Sequence, residues 1–391
     1  MNCYDRVCAS VDLDAISSNV QSLYDNMKHP CKLLAVVKSD GYGHGALPIA
    51  RKLEKMDCVG GFATATAEEA LILRRCGILK PIMILGYTFP YAYQELIEEE
   101  IELTVFREDT LETLSELAEK LNKKVKVHVK LDTGMNRIGI TPDDYGKSFV
   151  AKILSDSNFI LNGIFTHMAT ADETDKTKAY KQVLAFETFV NQIEKEYNMC
   201  VPYKHCFNSA GIMDMDSTVA NIARIGISMY GIMPSDEMLS TQIKLKPALS
   251  LRSHVVFCKD VPEGKEISYG GTFVTDRMTR VATIPVGYGD GYPRGLSGCG
   301  YVLIHGQKAP ILGRVCMDQF MVDVSGINVK EGDEVTLIGS DGDEIITVEA
   351  LCDLYNGFRY EMICDIGKRV PKEYIENGIV VYTKDYHDDL K

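Results

Sequence analysis

Residues 32–45 read KLLAVVKSDGYGHG, an apolar run of strand length that ends at Lys38 and opens into a loop with three glycines. Burial lowers the pKa of a lysine amine, and a neutral amine can attack a carbonyl carbon. The glycines allow the backbone to fold closely around a ligand. A surface lysine would leave the neighbouring glycines, Tyr42 and His44 unexplained. We therefore interpret Lys38 as a nucleophile at a binding site.

Similar apolar runs recur along the first 240 residues and alternate with amphipathic stretches, which is typical of βα units around a parallel sheet. Residues 109–121 are an example of the helical pattern, with leucines at helical spacing between Glu and Lys. Eight strands predict a (β/α)8 barrel, with an open doubly wound sheet as the alternative. No G-x-G-x-x-G follows the first strand, which weighs against the dinucleotide-binding form of that sheet. The predicted strands are residues 32–38, 61–65, 81–86, 102–106, 124–132, 162–168, 203–208 and 219–225, and the helical stretches include 46–56, 67–75, 109–121 and 176–197.

The pattern changes near Leu245, where short strand-like runs are separated by Gly, Asp and Pro turns. Only residues 347–355 have a helical pattern in this part. The sequence thus predicts an α/β protein with an N-terminal barrel over residues 10–240 and a C-terminal mostly-β domain over 241–391. We expect residues 1–9 to pack with the second domain. The strands predicted there are 249–258, 280–285, 301–304, 321–324 and 334–338.

Composition excludes several classes of protein. The net charge of -13 argues against a nucleic-acid partner, because phosphate binding needs a basic surface. The N-terminus lacks a signal-peptide pattern, and no apolar run approaches the ~20 residues that span a bilayer. We therefore expect a cytoplasmic protein with no membrane partner. The twelve cysteines form no C-x-x-C pair, so we expect reduced thiols and no bound metal.

The predicted strands end in residues that can carry chemistry, and barrel enzymes place their active groups at those ends. Lys38, Lys130, His167, Ser209 and Arg224 all occupy such positions. A single polar residue at a strand end is usually an ordinary loop residue, but five at the same end of the predicted barrel indicate a functional site. The loops after the seventh and eighth strands form the recurring phosphate site of this fold. An amine nucleophile beside a phosphate cradle fits pyridoxal phosphate, whereas a sugar phosphate would need only the cradle.

Three segments of the second domain combine glycine with Tyr, Arg or Asp. They read ISYGGT (residues 267–272), GYGDGYPR (287–294) and GRVCMD (313–318). Glycine-flanked tyrosines in a β domain usually pack in turns. Three such segments in one domain indicate an active surface instead.

At this point the sequence resembles one family, the bacterial alanine racemases, which are barrel-type (fold type III) pyridoxal-phosphate enzymes. The resemblance covers nearly the whole chain. Each matching segment is weak alone, but together, in this order, they are specific. The segments are AVVKSDGYGHG (35–45), LDTGMNRIG (131–139), FTHMATADE (165–173), NSAG (208–211), RIGISMYG (224–231), ISYGGTF (267–273), TIPVGYGDGYP (283–293) and GRVCMD (313–318).

The resemblance implies two catalytic residues and a shared site. Lys38 resembles the lysine that binds the cofactor covalently and serves as the base on the D-alanine side. Tyr269 resembles the base on the L-alanine side, which the partner subunit of a homodimer supplies. A base on each face is what racemisation requires.

The resemblance also implies roles for the other site residues. Arg224 resembles the arginine that meets the pyridine nitrogen, with His167 behind it. Lys130 is similar to a lysine that is often carbamylated and holds Arg137. The phosphate-binding group is matched by Tyr42, Ser209, Gly226, Ile227 and Tyr360; the substrate contacts by Arg137 and the backbone of Met317; and the substrate passage by Tyr288, Asp172, Arg294 and Arg314.

The function implied is interconversion of L-alanine and D-alanine with pyridoxal 5'-phosphate by two bases, which supplies D-alanine for peptidoglycan. A serine racemase of the same architecture is one alternative. A barrel-type amino-acid decarboxylase is another, because Cys316 stands beside Met317 and such enzymes use a cysteine-bearing loop. A non-catalytic carrier of the cofactor would lack the β domain, so Tyr269 and its surroundings argue against it.

The loop after Lys38 departs from the family pattern. Family members usually read Lys-Ala-Asp-Ala-Tyr-Gly-His-Gly, whereas here Ser39 and Gly41 replace the two alanines. Both changes are small, so we expect cofactor binding to persist and the loop to be looser.

Overall fold

The structure is a computed structural model that describes residues 6–28, 31–239 and 243–385. The chain divides into two compact units. The barrel unit consists of Ser17–Gly41 and Ala46–Lys246. The β unit consists of the described residues of Met1–Ile16, Tyr42–Gly45 and Pro247–Lys391, and it contains the first strand, β1 (Val7–Asp12).

Eight parallel strands close the barrel unit into a ring, in which the last strand pairs with the first. The closed ring confirms the barrel and excludes the open doubly wound sheet. Leu33, Leu34, Ala35 and Val36 are all buried, as expected of a strand covered on both faces. The strands are β2 (Lys32–Val36), β3 (Val59–Thr64), β4 (Ile82–Ile84), β5 (Glu102–Val105), β6 (Val125–Lys130), β7 (Phe159–Phe165), β8 (Tyr203–His205) and β9 (Ile222–Ile225).

Helices follow most of these strands. In the helix over Glu108–Leu121, the leucine stripe expected from the sequence is buried and Asn122 ends the helix in the left-handed conformation. Tyr93–Glu98 and Asp144–Ser155 are helices that the sequence analysis did not predict. The helices are α1 (Leu13–Asp25), α3 (Ala46–Leu53), α4 (Ala67–Arg75), α5 (Tyr93–Glu98), α6 (Glu108–Leu121), α7 (Asp144–Ser155), α8 (Thr177–Glu196) and α9 (Ser209–Asp214), with 3-10 turns at Pro90–Ala92 and Ile227–Tyr230. The short element α2 (Lys38–Tyr42) is a left-handed turn and not a right-handed helix.

The β unit is built on one mostly antiparallel sheet, and the strands of the unit after β1 are β10 (Leu249–His254), β11 (Phe257–Val261), β12 (Glu266–Ile267), β13 (Phe273–Val274), β14 (Thr279–Ile284), β15 (Tyr301–Ile304), β16 (Gln307–Leu312), β17 (Phe320–Asp323), β18 (Glu334–Asp341), β19 (Glu344–Ile346), β20 (Lys372–Glu376) and β21 (Ile379–Lys384). The order of strands in the sheet is β11-β14-β17-β16-β15-β18-β10-β1-β20-β21, with β19 paired to β18. β1 lies between β10 and β20, and its Val7, Ala9 and Val11 are buried at alternate positions, as expected of a strand with one face toward the core.

The expectation of a single helix in the second domain is wrong. α10 (Val348–Tyr355) is the predicted one, and α11 (Arg359–Cys364) follows it. α11 has only six residues, too few to produce a periodic pattern, and it begins just after the left-handed Asn356. Two 3-10 turns, at Tyr269–Gly271 and Tyr288–Asp290, lie in the glycine-rich segments, and a third, at Arg294–Leu296, begins at the last residue of the second segment.

No helix in the described ranges is both long enough and apolar enough to cross a membrane.

Candidate active site

Lys38 lies two residues after the end of β2, at the start of an unusual left-handed turn. Ser39, Asp40, Gly41 and Tyr42 have φ of 53°, 48°, 64° and 50°. The predicted strand therefore ends two residues earlier than expected, at Val36. Consecutive left-handed residues are costly, so the neighbouring groups must hold the turn.

Glu69 at the start of α4 is one of the groups that hold this turn. Its carboxylate accepts the Ser39 N–H at 2.5 Å and the Ala65 N–H at 2.8 Å. Asp40 Oδ1 accepts the Ala46 N–H at 2.9 Å on the other side. These contacts fix the backbone that carries Lys38, which is half-buried.

Gly41 suits the turn better than the alanine usual in the family. At φ of +64° an alanine is strained, and a Cβ would lie 3.2–3.3 Å from the Ala46 backbone and the Ile49 side chain. The substitution therefore favours the observed conformation, and the expectation of a looser loop does not follow from this backbone.

The loops after β8 and β9 converge on Ser209. Asn208 caps α9 by accepting the Gly211 N–H at 2.9 Å. Ser209 Oγ in turn accepts the Gly226 N–H at 2.9 Å. Ser228 Oγ nearby is buried and has no hydrogen-bond partner in the part of the chain that the structure describes. The strand ends thus present hydroxyl and amide donors where the sequence predicted a phosphate cradle.

Arg224 lies inside the barrel near the end of β9, with 3% of its surface exposed. Nη1 donates to His205 Nδ1 and to the His205 carbonyl, both at 3.0 Å. Nη2 donates to the Thr166 carbonyl at 2.8 Å, the Cys206 carbonyl at 3.1 Å and His167 Nδ1 at 3.2 Å. Burial lowers the pKa of Arg224 to about 10, so the guanidinium is still charged at neutral pH.

Lys130 ends β6 and is also 3% exposed. Its Nζ donates to the Leu131 carbonyl at 2.5 Å. Burial, followed by repulsion from Arg224, lowers the pKa of Lys130 to about 8, with a smaller contribution from Arg137. Arg137 is exposed in the next loop, where Asp132 accepts the backbone N–H groups of residues 134 and 136.

His167 lies close enough to these cations to feel their charges. Burial first, then the charges of Arg224, Arg137, Lys130 and Lys38 in that order, hold the pKa of His167 well below its ordinary value. One face of the barrel thus gathers the predicted Lys38, Lys130, Arg137, His167 and Arg224. Asp172 lies half-buried in the loop between β7 and α8.

The β unit brings together the three glycine-rich segments that the sequence singled out. Tyr269 is 72% exposed, and Ser268 Oγ beside it donates to the Arg314 carbonyl at 2.7 Å. The Tyr288 N–H donates to the Cys316 carbonyl at 3.1 Å, and the Gly289 N–H donates to the Met317 carbonyl at 2.8 Å. Tyr288 and Met317 are exposed on this surface, and Arg294 is exposed in its own 3-10 turn.

Tyr42 and Tyr360 lie close to each other in the β unit, with ring centroids 6.2 Å apart. Tyr42 is 7% exposed, and burial raises the pKa of its hydroxyl. Gly43 permits this packing, because a Cβ there would lie 2.0 Å from the Ile363 carbonyl oxygen of α11.

Sequence reasoning missed several residues that support these groups. Glu69, Ser228, His205 and the buried His128 lie in or beside the site, and the sequence analysis named none of them. His128 lies between Val127 and Val129, and His205 is followed by Cys206 and Phe207; a histidine beside apolar residues in a barrel strand was the available signal. Glu69 belongs to the capping box Thr66-x-x-Glu69 at the start of α4, which was a usable signal for a helix start but not for the contact with Ser39. The burial of Ser228 depends on how the loops approach each other, which a linear pattern does not contain.

The comparisons with known proteins agree with this geometry. The family model described as alanine racemase, N-terminal domain, matches residues 11–234, and the one described as alanine racemase, C-terminal domain, matches residues 248–374. An alanine racemase of Clostridium acetobutylicum is 42% identical over 97% of this chain and 98% of its own. Another from Halothermothrix orenii is 42% identical over 94% of this chain and 96% of its own.

A solved structure, the alanine racemase from Bacillus anthracis with bound L-Ala-P, matches with a TM-score of 0.92 and 36% identity and covers 100% of both chains. The barrel followed by a mostly-β domain is therefore confirmed. The matches favour neither a decarboxylase nor a non-catalytic carrier, and both family models together with near full-length relatives at 42% identity place this chain in the alanine racemase family.

Proposed function

We propose that this chain interconverts L-alanine and D-alanine with pyridoxal 5'-phosphate held on the barrel and with Lys38 and Tyr269 as opposed bases. The observation that carries the proposal is the grouping on one barrel face. Lys38 follows β2, the donors around Ser209 follow β8, and the buried Arg224 lies near the end of β9. A lysine amine, a phosphate cradle and a fixed partner for the ring nitrogen are the groups by which a protein holds this cofactor.

The residues fit the cofactor's phosphate. Because Ser209 Oγ accepts the Gly226 N–H, its own proton is available to a phosphate oxygen. The buried Ser228 hydroxyl is a further donor at the same loop. Tyr42 and Tyr360 contribute neutral hydroxyls in this proposal, and the Ile227 backbone adds an amide at the start of a 3-10 turn. The bound cofactor supplies an electron sink that acidifies the Cα–H of the amino acid.

Lys38 and Tyr269 move the proton in this proposal. Lys38 Nζ removes or delivers the Cα proton on the D-alanine side, and Tyr269 Oη does so on the L-alanine side. Racemisation needs both, because a base on a single face returns the proton to the side it left. We propose that Tyr269 comes from the partner subunit of a two-fold homodimer, in which each β unit serves the other barrel.

Arg224 controls charge at the ring nitrogen of the cofactor. A guanidinium can only donate hydrogen bonds, and five contacts to His205, His167 and carbonyl oxygens hold this one in place. If a bound cofactor placed its ring nitrogen against this guanidinium, Arg224 would donate to that atom and keep it unprotonated. We propose that this limits side reactions such as transamination.

Lys130 is proposed to be carbamylated. Its lowered pKa leaves more neutral amine than an ordinary lysine has at neutral pH, and only the neutral amine attacks carbon dioxide. The ammonium first loses one proton to become the neutral amine, and a second proton is released as the nitrogen bonds to the carbon of carbon dioxide. A buried cation thereby becomes an anion. The product can pair with Arg137, which we assign to the substrate carboxylate together with the Met317 backbone.

The remaining assignments concern access and cellular role. Tyr288, Asp172, Arg294 and Arg314 are proposed to line the substrate passage. The D-alanine formed is proposed to supply peptidoglycan in the cytoplasm.

The proposal is tested by incubating the purified chain and pyridoxal 5'-phosphate with L-alanine, and in parallel with L-serine. Enantiomers have equal free energy, so L-alanine should convert to an equal mixture, as measured by chiral chromatography. L-serine should convert more slowly. Borohydride should fix the cofactor to Lys38, which peptide mass spectrometry would locate.

Lys38→Ala should abolish conversion and fixation. Lys32→Ala, which replaces an exposed lysine at the opposite end of the same strand, should change neither. No conversion by the wild-type chain, or full conversion by Lys38→Ala, would overturn the proposal.

A further inference from the structure

A line of four buried titratable side chains, with Arg224 at one end, runs through the barrel. The guanidinium contacts His205 Nδ1 at 3.0 Å. His205 Nε2 lies 3.2 Å from His128 Nδ1, and His128 Nε2 lies 2.7 Å from Glu102 Oε2. Glu102, His128 and His205 are 3%, 1% and 0% exposed. The line joins β5, β6, β8 and β9, and none of the assigned catalytic steps uses Glu102 or His128.

The chemistry of the two ends fixes where the protons lie. Arginine only donates, so His205 Nδ1 must accept and its proton must be on Nε2. That proton points at His128 Nδ1, so the proton of His128 is on Nε2 and points at Glu102. Every hydrogen bond therefore runs from the cation toward the carboxylate, with two neutral imidazoles between them.

The surroundings are consistent with neutral rings and an ionised carboxylate. Burial, reinforced by Arg224, holds the pKa of His205 well below its ordinary value. Burial alone would raise the pKa of Glu102, but hydrogen bonds from His128 and Asn162 and the charge of Lys126 bring it below its ordinary value. The His205 ring stacks on Phe165 with centroids 4.7 Å apart, so it cannot readily turn away.

We propose that Glu102 is a remote positioning residue for Arg224: its carboxylate fixes the protons of His128 and His205, so that His205 presents only an acceptor to the guanidinium. The inference rests on the proposed role of Arg224 at the cofactor. Without the carboxylate, both imidazoles can take the opposite tautomer. Two donors would then face each other at 3.0 Å, and the guanidinium would lose its fixed position against His167 and the Thr166 carbonyl.

Glu102→Gln is the sharpest variant, because it keeps the size of the side chain and adds a donor. Its amide can donate to His128 Nε2, which allows the whole line to reverse. A carboxylate that merely filled space or balanced charge would not determine the tautomers. The proton positions are therefore the property to measure.

The first measurement is nitrogen-15 NMR of protein labelled at histidine, without cofactor and with it. In the wild-type chain, His128 and His205 should each show a single tautomer with the proton on Nε2. In Glu102→Gln, both should shift toward the Nδ1–H tautomer or a mixture. His128→Gln is a second variant in case Glu102→Gln folds poorly, and in it His205 alone should lose its single tautomer. Unchanged tautomers in the variants, or an Nδ1 proton on wild-type His205, would overturn the proposal.

The second measurement is a double-mutant cycle on racemisation. Glu102→Gln should lower kcat about threefold to tenfold, with KM for alanine changed less than about twofold. In an Arg224→Lys background the same change should have little further effect, because its effect passes through the guanidinium. An equal loss of kcat in both backgrounds would contradict the proposal.

Val127→Ala is the matched control, since Val127 is fully buried on the same strand beside His128. It should lower stability while leaving the tautomers and kcat unchanged. If the wild-type chain did not racemise alanine, the proposed function would fail, whereas the tautomers would still decide the role of Glu102.

Discussion

At the scale of single residues, the site depends on how buried charges are compensated. Arg224 is held by carbonyls and neutral histidines, whereas Lys130 has one short contact to a carbonyl and two arginines that repel it. The sequence could predict that both lie at strand ends, because strand runs locate those ends. It could not predict their partners, since His205 and Thr166 approach Arg224 only after the barrel closes.

The first prediction concerns Lys130. With labelled carbon dioxide at pH 8, near its pKa of about 8, carbon-13 NMR should show one carbamate signal that disappears as acid protonates the amine. Lys130→Gln should remove the signal. Lys176→Gln should keep it, because that buried ammonium is already paired with Asp214 at 2.9 Å. A signal absent from the wild-type protein would contradict the assignment.

At the scale of elements, the turn after β2 is where local sequence and structure agree least. The apolar run predicted a strand to Lys38, but the strand ends at Val36 and a left-handed turn begins. Single-sequence patterns detect strands and right-handed helices by their periods, and a turn of four left-handed residues has neither period. α11, which carries Tyr360, was not predicted because its six residues are too few to show a helical period.

The second prediction is that Gly41→Ala lowers the free energy of unfolding by about 1 kcal/mol. The reason is its φ of +64° and the tight approach of Ala46 and Ile49. Urea denaturation measures the change. Gly326→Ala is the control, since a Cβ there meets nothing within 4 Å, and it should change stability by less than about half as much. Equal stability of the Gly41 variant and the wild type would show that the turn is not strained.

At the scale of the whole molecule, the sequence predicted both units and their order. It predicted the fold well because parallel buried strands and short antiparallel strands differ in length and spacing. The boundaries between the two units were harder to predict from the sequence, because residues 42–45 cluster with the β unit although they lie between barrel elements in the chain. Lys38 and Tyr269 belong to different units of the chain. In the proposed site, the partner subunit supplies Tyr269.

The third prediction follows from that arrangement. Inactive Lys38→Ala and Tyr269→Ala proteins are mixed and allowed to exchange subunits. Random exchange makes half of the dimers mixed, each with one intact site, so activity should recover to about one quarter of the wild type. Mass spectrometry of the intact dimers confirms the exchange. No recovery despite exchange would place Tyr269 beside the lysine of its own subunit.

The claim of two opposed bases is tested most directly by deuterium wash-in at Cα with Tyr269→Ala in heavy water, started separately from L-alanine and from D-alanine. Exchange from L-alanine should fall by about 10²-fold or more, because the base on that face is lost. Exchange from D-alanine should persist, since Lys38 remains. Equal residual exchange from both enantiomers would contradict the assignment of Lys38 and Tyr269 to opposite faces.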